Sequence, residues 1–327
     1  MTARPFAPGS VSLRVYPSDA DAVSIVEEMR EQARLAEASG FDGLMTSEHH
    51  GGFPGYIPNP LQQAGWLLEA TQRIWAAPAP LLLPLQHWSH VAEALAWLSS
   101  RFPDRVGGGV AIGGLPADFE LAEIPWQEKL ARFEVALPQL ARALRGEAEA
   151  PLVGDPAIAA CAESPIPLLT AAQSPGAVRR AAACGAGLLF DSLQTPERVG
   201  DLVAAYHAAE GRGPCIGIRK VWLGAPPSEH AEAQLRFYQS YTTKQSQRHW
   251  ADDTLVSGRD GDELAERLLD FTNRSGCHAL NLRVHLTGLP AERLREQIEI
   301  VGHEVLPALH RGLAEQQANA ASSEAMR

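Results

Sequence analysis

The stretch Ala36-Glu37-Ala38-Ser39-Gly40-Phe41-Asp42-Gly43-Leu44-Met45-Thr46 reads as a helix end, a glycine turn and a short buried strand. Glu48-His49-His50 follows, and Asn59-Pro60 comes nine residues later. A strand that ends in an acid and two imidazoles, then opens into a loop rich in Gly and Pro, is where an α/β barrel places its chemistry. Histidine matters there because its unperturbed pKa of about 6.5 lets it exchange a proton near neutral pH. These residues alone leave two readings open. Either one histidine caps the strand while the other is solvated, or the pair is functional.

Outward from this stretch, short β-type runs alternate with helical patterns. Strands are expected over 11–15, 43–46, 77–83, 105–110, 166–170, 187–190, 215–223 and 280–284. Ala22, Val26, Met29, Ala33 and Ala36 recur at spacings of three and four, one amphipathic face of a first helix. A second helix begins at Asn59-Pro60, an N-cap followed by proline at the first helical position. Further helices are expected over 89–100, 127–144, 175–184 and 196–209, and a closing helix carries Leu294, Ile298, Val301, Val305 and Leu309. Eight strand–helix units in series predict a parallel (β/α)8 TIM barrel rather than an open sheet.

The main irregularity is an insertion between strands seven and eight, over 225–277. It holds helices at 228–241 and 260–274 around a polar stretch with Tyr241, His249 and Trp250. It is either a lid on the functional face or packing on the outside. A single barrel domain is expected over 1–311, with 312–327, rich in Ala, Ser, Glu and Gln, as a disordered tail.

With 45% hydrophobic and 20% charged residues, the 327-residue chain has the composition of an ordinary globular protein. A formal net charge of -11 without a basic stripe argues against nucleic acid as a partner. Cys161, Cys184, Cys215 and Cys277 show neither CxxC nor metal-ligand spacing, so no metal site is expected. Dispersed cysteines, no evident signal peptide and no apolar run long enough for a bilayer predict a cytoplasmic protein with no membrane partner.

The chain resembles the bacterial luciferase-like flavin-dependent monooxygenases. The matching residues are Ala38-Ser39-Gly40-Phe41-Asp42, Glu48-His49-His50, Asn59-Pro60, Leu83-Pro84-Leu85-Gln86-His87 and Ala92-Glu93. Arg105 with Gly109, Asp118-Phe119, Ala172-Gln173-Ser174-Pro175 and Glu304-Val305-Leu306-Pro307-Ala308-Leu309 continue the match in order. The resemblance implies a (β/α)8 barrel that binds reduced FMN, or in another branch F420, at the carboxyl-terminal mouth. The FMN branch reacts reduced flavin with dioxygen to oxidise an organic substrate, with the flavin supplied by a separate reductase.

On this resemblance His49 is the acid/base near the flavin, and Glu48 orients or anchors the turn at the cofactor site. His49 and His50 should point to opposite sides, which disfavours a shared metal and leaves His50 a hydrogen-bonded support. Asp118 falls where relatives carry an acid near the flavin, although it could equally be a helix N-cap. Gln173, Ser174, Gly176 and Ala177 open a helix whose hydroxyl and amides suit a phosphate, the alternative being an ordinary Ser174 cap with no ligand. A non-proline cis peptide beneath the flavin in the family corresponds to Ala79-Pro80 here, so that bond is expected to be cis, the alternative being a proline that merely bends the strand.

On the last strand Asn281, Arg283 and His285 alternate with apolar residues. Arg283 is therefore either a cation near flavin or phosphate or part of a structural ion pair. Apolar groups around the second and third helices, with Glu93, imply a homodimer.

One departure stands out. Ile112 occupies the position of an arginine that grips the FMN phosphate in luciferases, and Arg179 or Arg180 is a candidate replacement. The expected function is a monooxygenase that uses reduced FMN and dioxygen on a small or medium apolar organic substrate. Alternatives are an F420-dependent oxidoreductase and a non-catalytic flavin-binding barrel.

Overall fold

The structure, a computed structural model, describes residues 4–242, 244–248, 250–251 and 255–325. His249 of the insertion and the last two residues of the expected tail lie outside the described residues. Contacts divide the chain into two compact units. One is centred on Met45–Leu189 with Ala205–Gly213; the other is made of Phe6–Leu44, Phe190–Ala204 and the described residues of Pro214–Arg327.

The strands are β1 (Val11–Arg14), β2 (Gly43–Thr46), β3 (Trp75–Pro78), β4 (Leu81–Leu82) and β5 (Gly108–Ala111), then β6 (Leu168–Ala171), β7 (Gly187–Phe190), β8 (Cys215–Leu223), β9 (Val256–Gly258) and β10 (Ala279–Arg283). In the first unit β4, β5, β6 and β7 lie side by side and parallel, with Leu81 opposite Val110, Gly108 opposite Leu168 and Thr170 opposite Leu188. A parallel bridge between Ala76 and Val106 joins the end of this run to β3, and the Ala79 N–H donates to the Thr46 carbonyl. In the second unit β1 pairs with β10, β10 with β8 and β8 with β9, all parallel. Parallel strands with helical crossovers are covered on both faces, and almost every strand residue is buried.

Several helix starts fall where their caps predict. Asn59 Oδ1 accepts the Gln62 N–H ahead of the helix Pro60–Ala70, and Ser174 caps Pro175–Cys184. Three expectations differ. The run over 77–83 is not one strand: it divides into β3 and β4 around Ala79-Pro80 and ends in the 3-10 turn Leu83–Leu85. Pro80 has no N–H to continue a ladder, which explains the interruption. The Ala79-Pro80 bond is cis.

The insertion contains β9, a three-residue strand with too little alternation to signal itself. Beyond Gly312 the helix Leu306–Ala325 runs through most of the expected tail. Leu313 is buried, and Gln316 accepts from Thr272 Oγ1 at 2.9 Å while donating to the Leu269 carbonyl at 3.2 Å.

Candidate functional site

The residues that follow β2 form a hydrogen-bonded cluster in the first unit. His49 Nδ1 lies 2.8 Å from Asp118 Oδ2, and the His50 backbone N–H donates to Asp118 Oδ1 at 2.8 Å. A carboxylate only accepts, so His49 donates from Nδ1 and leaves Nε2 as the acceptor. Asp118 is 2% exposed. It stands third in the helix Pro116–Leu121, whose N-cap is Leu115, so it does not cap the helix. Phe53 and Tyr56, from the loop after the histidines, each place a ring centroid 4.6 Å from that of His49.

The two imidazoles address different carboxylates, as alternation along an extended backbone predicts. His50 Nε2 lies 2.7 Å from Glu48 Oε1, and this hydrogen bond raises the His50 pKa above its ordinary value against the opposing effect of burial. Buried Glu48 also accepts the Leu82 N–H at 2.5 Å and the Gln86 amide at 3.4 Å. It thereby ties the end of β2 to β4, just beyond Ala79 and Pro80. Ala79 is itself buried, and a Cβ on Gly109 of β5 would lie 2.7 Å from the Ala79 Cβ. Only glycine admits that approach.

The helix start Gln173-Ser174-Pro175-Gly176-Ala177 is a separate feature of the same unit. Ser174 Oγ accepts the Ala177 N–H at 3.3 Å, and both Gln173 and Ser174 are exposed. Arg180 folds back over this turn: its Nη1 would lie 3.6 Å from a Cβ on Gly176, and it pairs with Glu134 at 3.3 Å. Ile112, just past β5, is half-buried. Lys129 is held against the same loop by the Gly113 carbonyl at 3.3 Å and by the Trp126 ring, 3.2 Å from its Nζ.

In the second unit the polar face of β10 is buried. Asn281 Oδ1 accepts from Arg14 Nε at 2.7 Å and its amide donates to Ser12. Arg283 Nη1 donates to the hydroxyls of Tyr16 at 2.9 Å and Tyr238 at 2.5 Å, while Nε donates to the His285 carbonyl at 3.1 Å. Its Nη2 lies 3.2 Å from His285 Nδ1. Burial, with Arg283 beside it, pushes the His285 pKa well below the usual range, so its ring is neutral and Nδ1 accepts. The expected choice between a ligand-facing cation and an ion pair thus missed the phenols. Tyr16 and Tyr238 carry no local motif, and only the packing of the insertion helix Ser228–Tyr241 brings Tyr238 to β10.

Residues 10–279 match the family described as luciferase-like monooxygenase. An F420-dependent glucose-6-phosphate dehydrogenase from Beutenbergia cavernae is 32% identical over 173 residues, 48% of this chain and 50% of the relative. This chain therefore spans about half that relative's length. Among solved structures, the monooxygenase RslO1 from Streptomyces bottropensis has a TM-score of 0.77 at 22% identity, over 91% of this chain and 99% of that one. The oxygenating constituent of 3,6-diketocamphane monooxygenase from Pseudomonas putida, solved with FMN, has a TM-score of 0.73 at 15% identity, covering 93% and 99%. At such identities the likeness shows the fold, the α/β barrel of these enzymes. The match over residues 10–279 shows the rest: this chain belongs to the luciferase-like monooxygenase family, whose members are enzymes.

Proposed function

We propose that the chain is a flavin-dependent monooxygenase that uses reduced FMN and dioxygen to oxidise a small or medium apolar organic substrate. The observation that carries this reading is the His49–Asp118 pair at 2.8 Å, walled by Phe53 and Tyr56 after the carboxyl end of β2. Asp118 fixes the ring so that Nε2 takes up or returns a proton, and the two aromatic rings pack against it and restrict its contact with water. Reduced FMN, when bound, would supply the two electrons that reduce one atom of dioxygen to water while the other is transferred to the substrate.

The first unit's residues fit a phosphate-bearing cofactor. Ser174, Gly176 and Ala177 offer a hydroxyl and amides at the positive end of a ten-residue helix. The side-chain-free face of Gly176 leaves the Arg180 guanidinium beside that turn. Arg180 is thus the better substitute for the arginine missing at Ile112, since Arg179 is exposed. Glu48 holds the backbone around Ala79 and Pro80 in the form that supports the cofactor. Reduced flavin comes from a separate reductase. The chain works as a homodimer through the helices Pro60–Ala70 and Trp88–Arg101, whose Trp66 and Leu98 are only half-buried and whose Trp97 is 53% exposed.

The F420-dependent relative favours a second reading, hydride transfer without oxygen. Anaerobic titration with reduced FMN and reduced F420 separates the two, followed by stopped-flow mixing with oxygen. The FMN reading expects micromolar binding of reduced FMN and a transient absorbance that free reduced FMN does not give. Tight binding of F420 alone supports the second reading, and binding of neither overturns both in favour of a non-catalytic barrel.

A further inference from the structure

The second unit contains a hydrogen-bond donor that the family assignment leaves without a task. Guanidinium groups only donate, so the Tyr238 oxygen accepts from Arg283 Nη1 at 2.5 Å and its own proton points elsewhere. Among the described residues nothing accepts that proton, although Tyr238 is 7% exposed. A buried donor without an acceptor is expensive unless something else supplies one. The group sits beside Arg283, the last residue of β10, and Tyr16, two residues past β1; these are carboxyl ends of adjacent parallel strands. Such ends carry the chemistry of α/β barrels.

Its surroundings define what it takes. Phe237 and Tyr241, both half-buried, flank it with ring centroids 6.4 and 6.1 Å away. Lys220 is buried with Nζ 5.4 Å from the centroid of the Tyr238 ring, and Arg283 brings its guanidinium charge directly to the phenol. An apolar wall, a polarised O–H and the adjoining Arg283 charge suit an acceptor oxygen that carries or develops negative charge, and they reject an amine.

We propose that Tyr238, polarised by Arg283, donates a hydrogen bond to the acceptor oxygen of the organic substrate: a ketone, aldehyde or phenolate oxygen on an apolar body. Burial raises the Tyr238 pKa, which keeps the phenol a donor. Calling the ligand a substrate rests on the monooxygenase reading; the donor site rests on its own geometry, and its test needs no flavin.

The test titrates the cofactor-free protein at alkaline pH with 4-nitrophenolate and with nitrobenzene, which lacks the oxygen. The unaltered protein should bind the phenolate about tenfold or more tightly than nitrobenzene, because a hydrogen bond to a charged acceptor is worth that much. The bound phenolate should also absorb at shorter wavelength in the unaltered protein than in Tyr238→Phe, because the donated hydrogen bond stabilises the charge on the phenolate oxygen. Tyr238→Phe should abolish the preference and the band shift while leaving nitrobenzene affinity unchanged. Equal affinities in the unaltered protein, absence of saturable phenolate binding, or a preference that survives Tyr238→Phe would each overturn the proposal. The two-probe comparison in the unaltered protein decides the matter even if the variant does not fold. None of these outcomes bears on the flavin titration.

Discussion

Asp118 holds His49 from 69 residues away, with one carboxylate oxygen 2.8 Å from the ring Nδ1 and the other on the neighbouring His50 amide. The carboxylate therefore sets both the tautomer and the position of the ring. His49→Ala should lower turnover about 100-fold or more while leaving reduced-flavin affinity unchanged. Asp118→Asn should lower turnover comparably, since an amide donor facing Nδ1 moves the ring proton to Nε2. Steady-state turnover beside equilibrium flavin titration checks both, and a His49→Ala enzyme with full turnover would remove the assignment.

Glu48 is a structural tie. Glu48→Ala strands the Leu82 N–H of β4 and the His50 ring without their acceptor. The expected loss is about 1–3 kcal/mol, the effect of leaving a buried donor unmade. Glu48→Gln, which keeps one acceptor oxygen, should lose less. Urea unfolding of the three proteins gives the order.

Two histidines should titrate stability with opposite sign. The His50 pKa is raised by Glu48, so its contribution is full below the unfolded value of about 6.5 and is lost as pH rises through the higher folded value. The His285 pKa is depressed by burial, so its contribution is present above about 6.5 and is lost as pH falls. Compared with the unaltered protein, His50→Gln should be less stable chiefly on the acid side of that value. His285→Gln should lack the acid-side loss that neutral His285 imposes. Unfolding midpoints measured across this pH window check both signs.

Arg180 should matter to a phosphate and not to a flavin ring. Arg180→Met should weaken reduced FMN about tenfold or more, the size of one charge-assisted contact, and leave reduced riboflavin unchanged. Equal weakening of both ligands would mean that the residue only packs the helix start against Glu134.

How far the site was legible in sequence depends on the range of its interactions. The Pro60–Ala70, Pro175–Cys184 and Ser228–Tyr241 helices were readable because caps, prolines and periodicity act within a few residues. β2, β7 and β8 were readable as short apolar runs, whereas β9 was too short and the break at Pro80 depends on what pairs beside it. Asp118 was visible as an acid before Phe119, read either as an acid near the flavin or as a helix N-cap; that it holds His49 depends on the fold of two loops. The tail looked polar and small, yet Leu313 and Gln316 find partners that no local pattern announces.

The sequence by itself determined the alternation of strands and helices and the family resemblance, and it singled out Glu48, His49 and Asp118 as candidate site residues. Those depend on local propensity and on residue type. Tertiary structure decided which imidazole meets which carboxylate, that Arg180 turns back over Gly176, and that Arg283 polarises two phenols. Hydrogen bonds are directional and act over about 3 Å. Partners 45, 69 and 267 residues apart can therefore be assigned only once the chain has brought them to that distance.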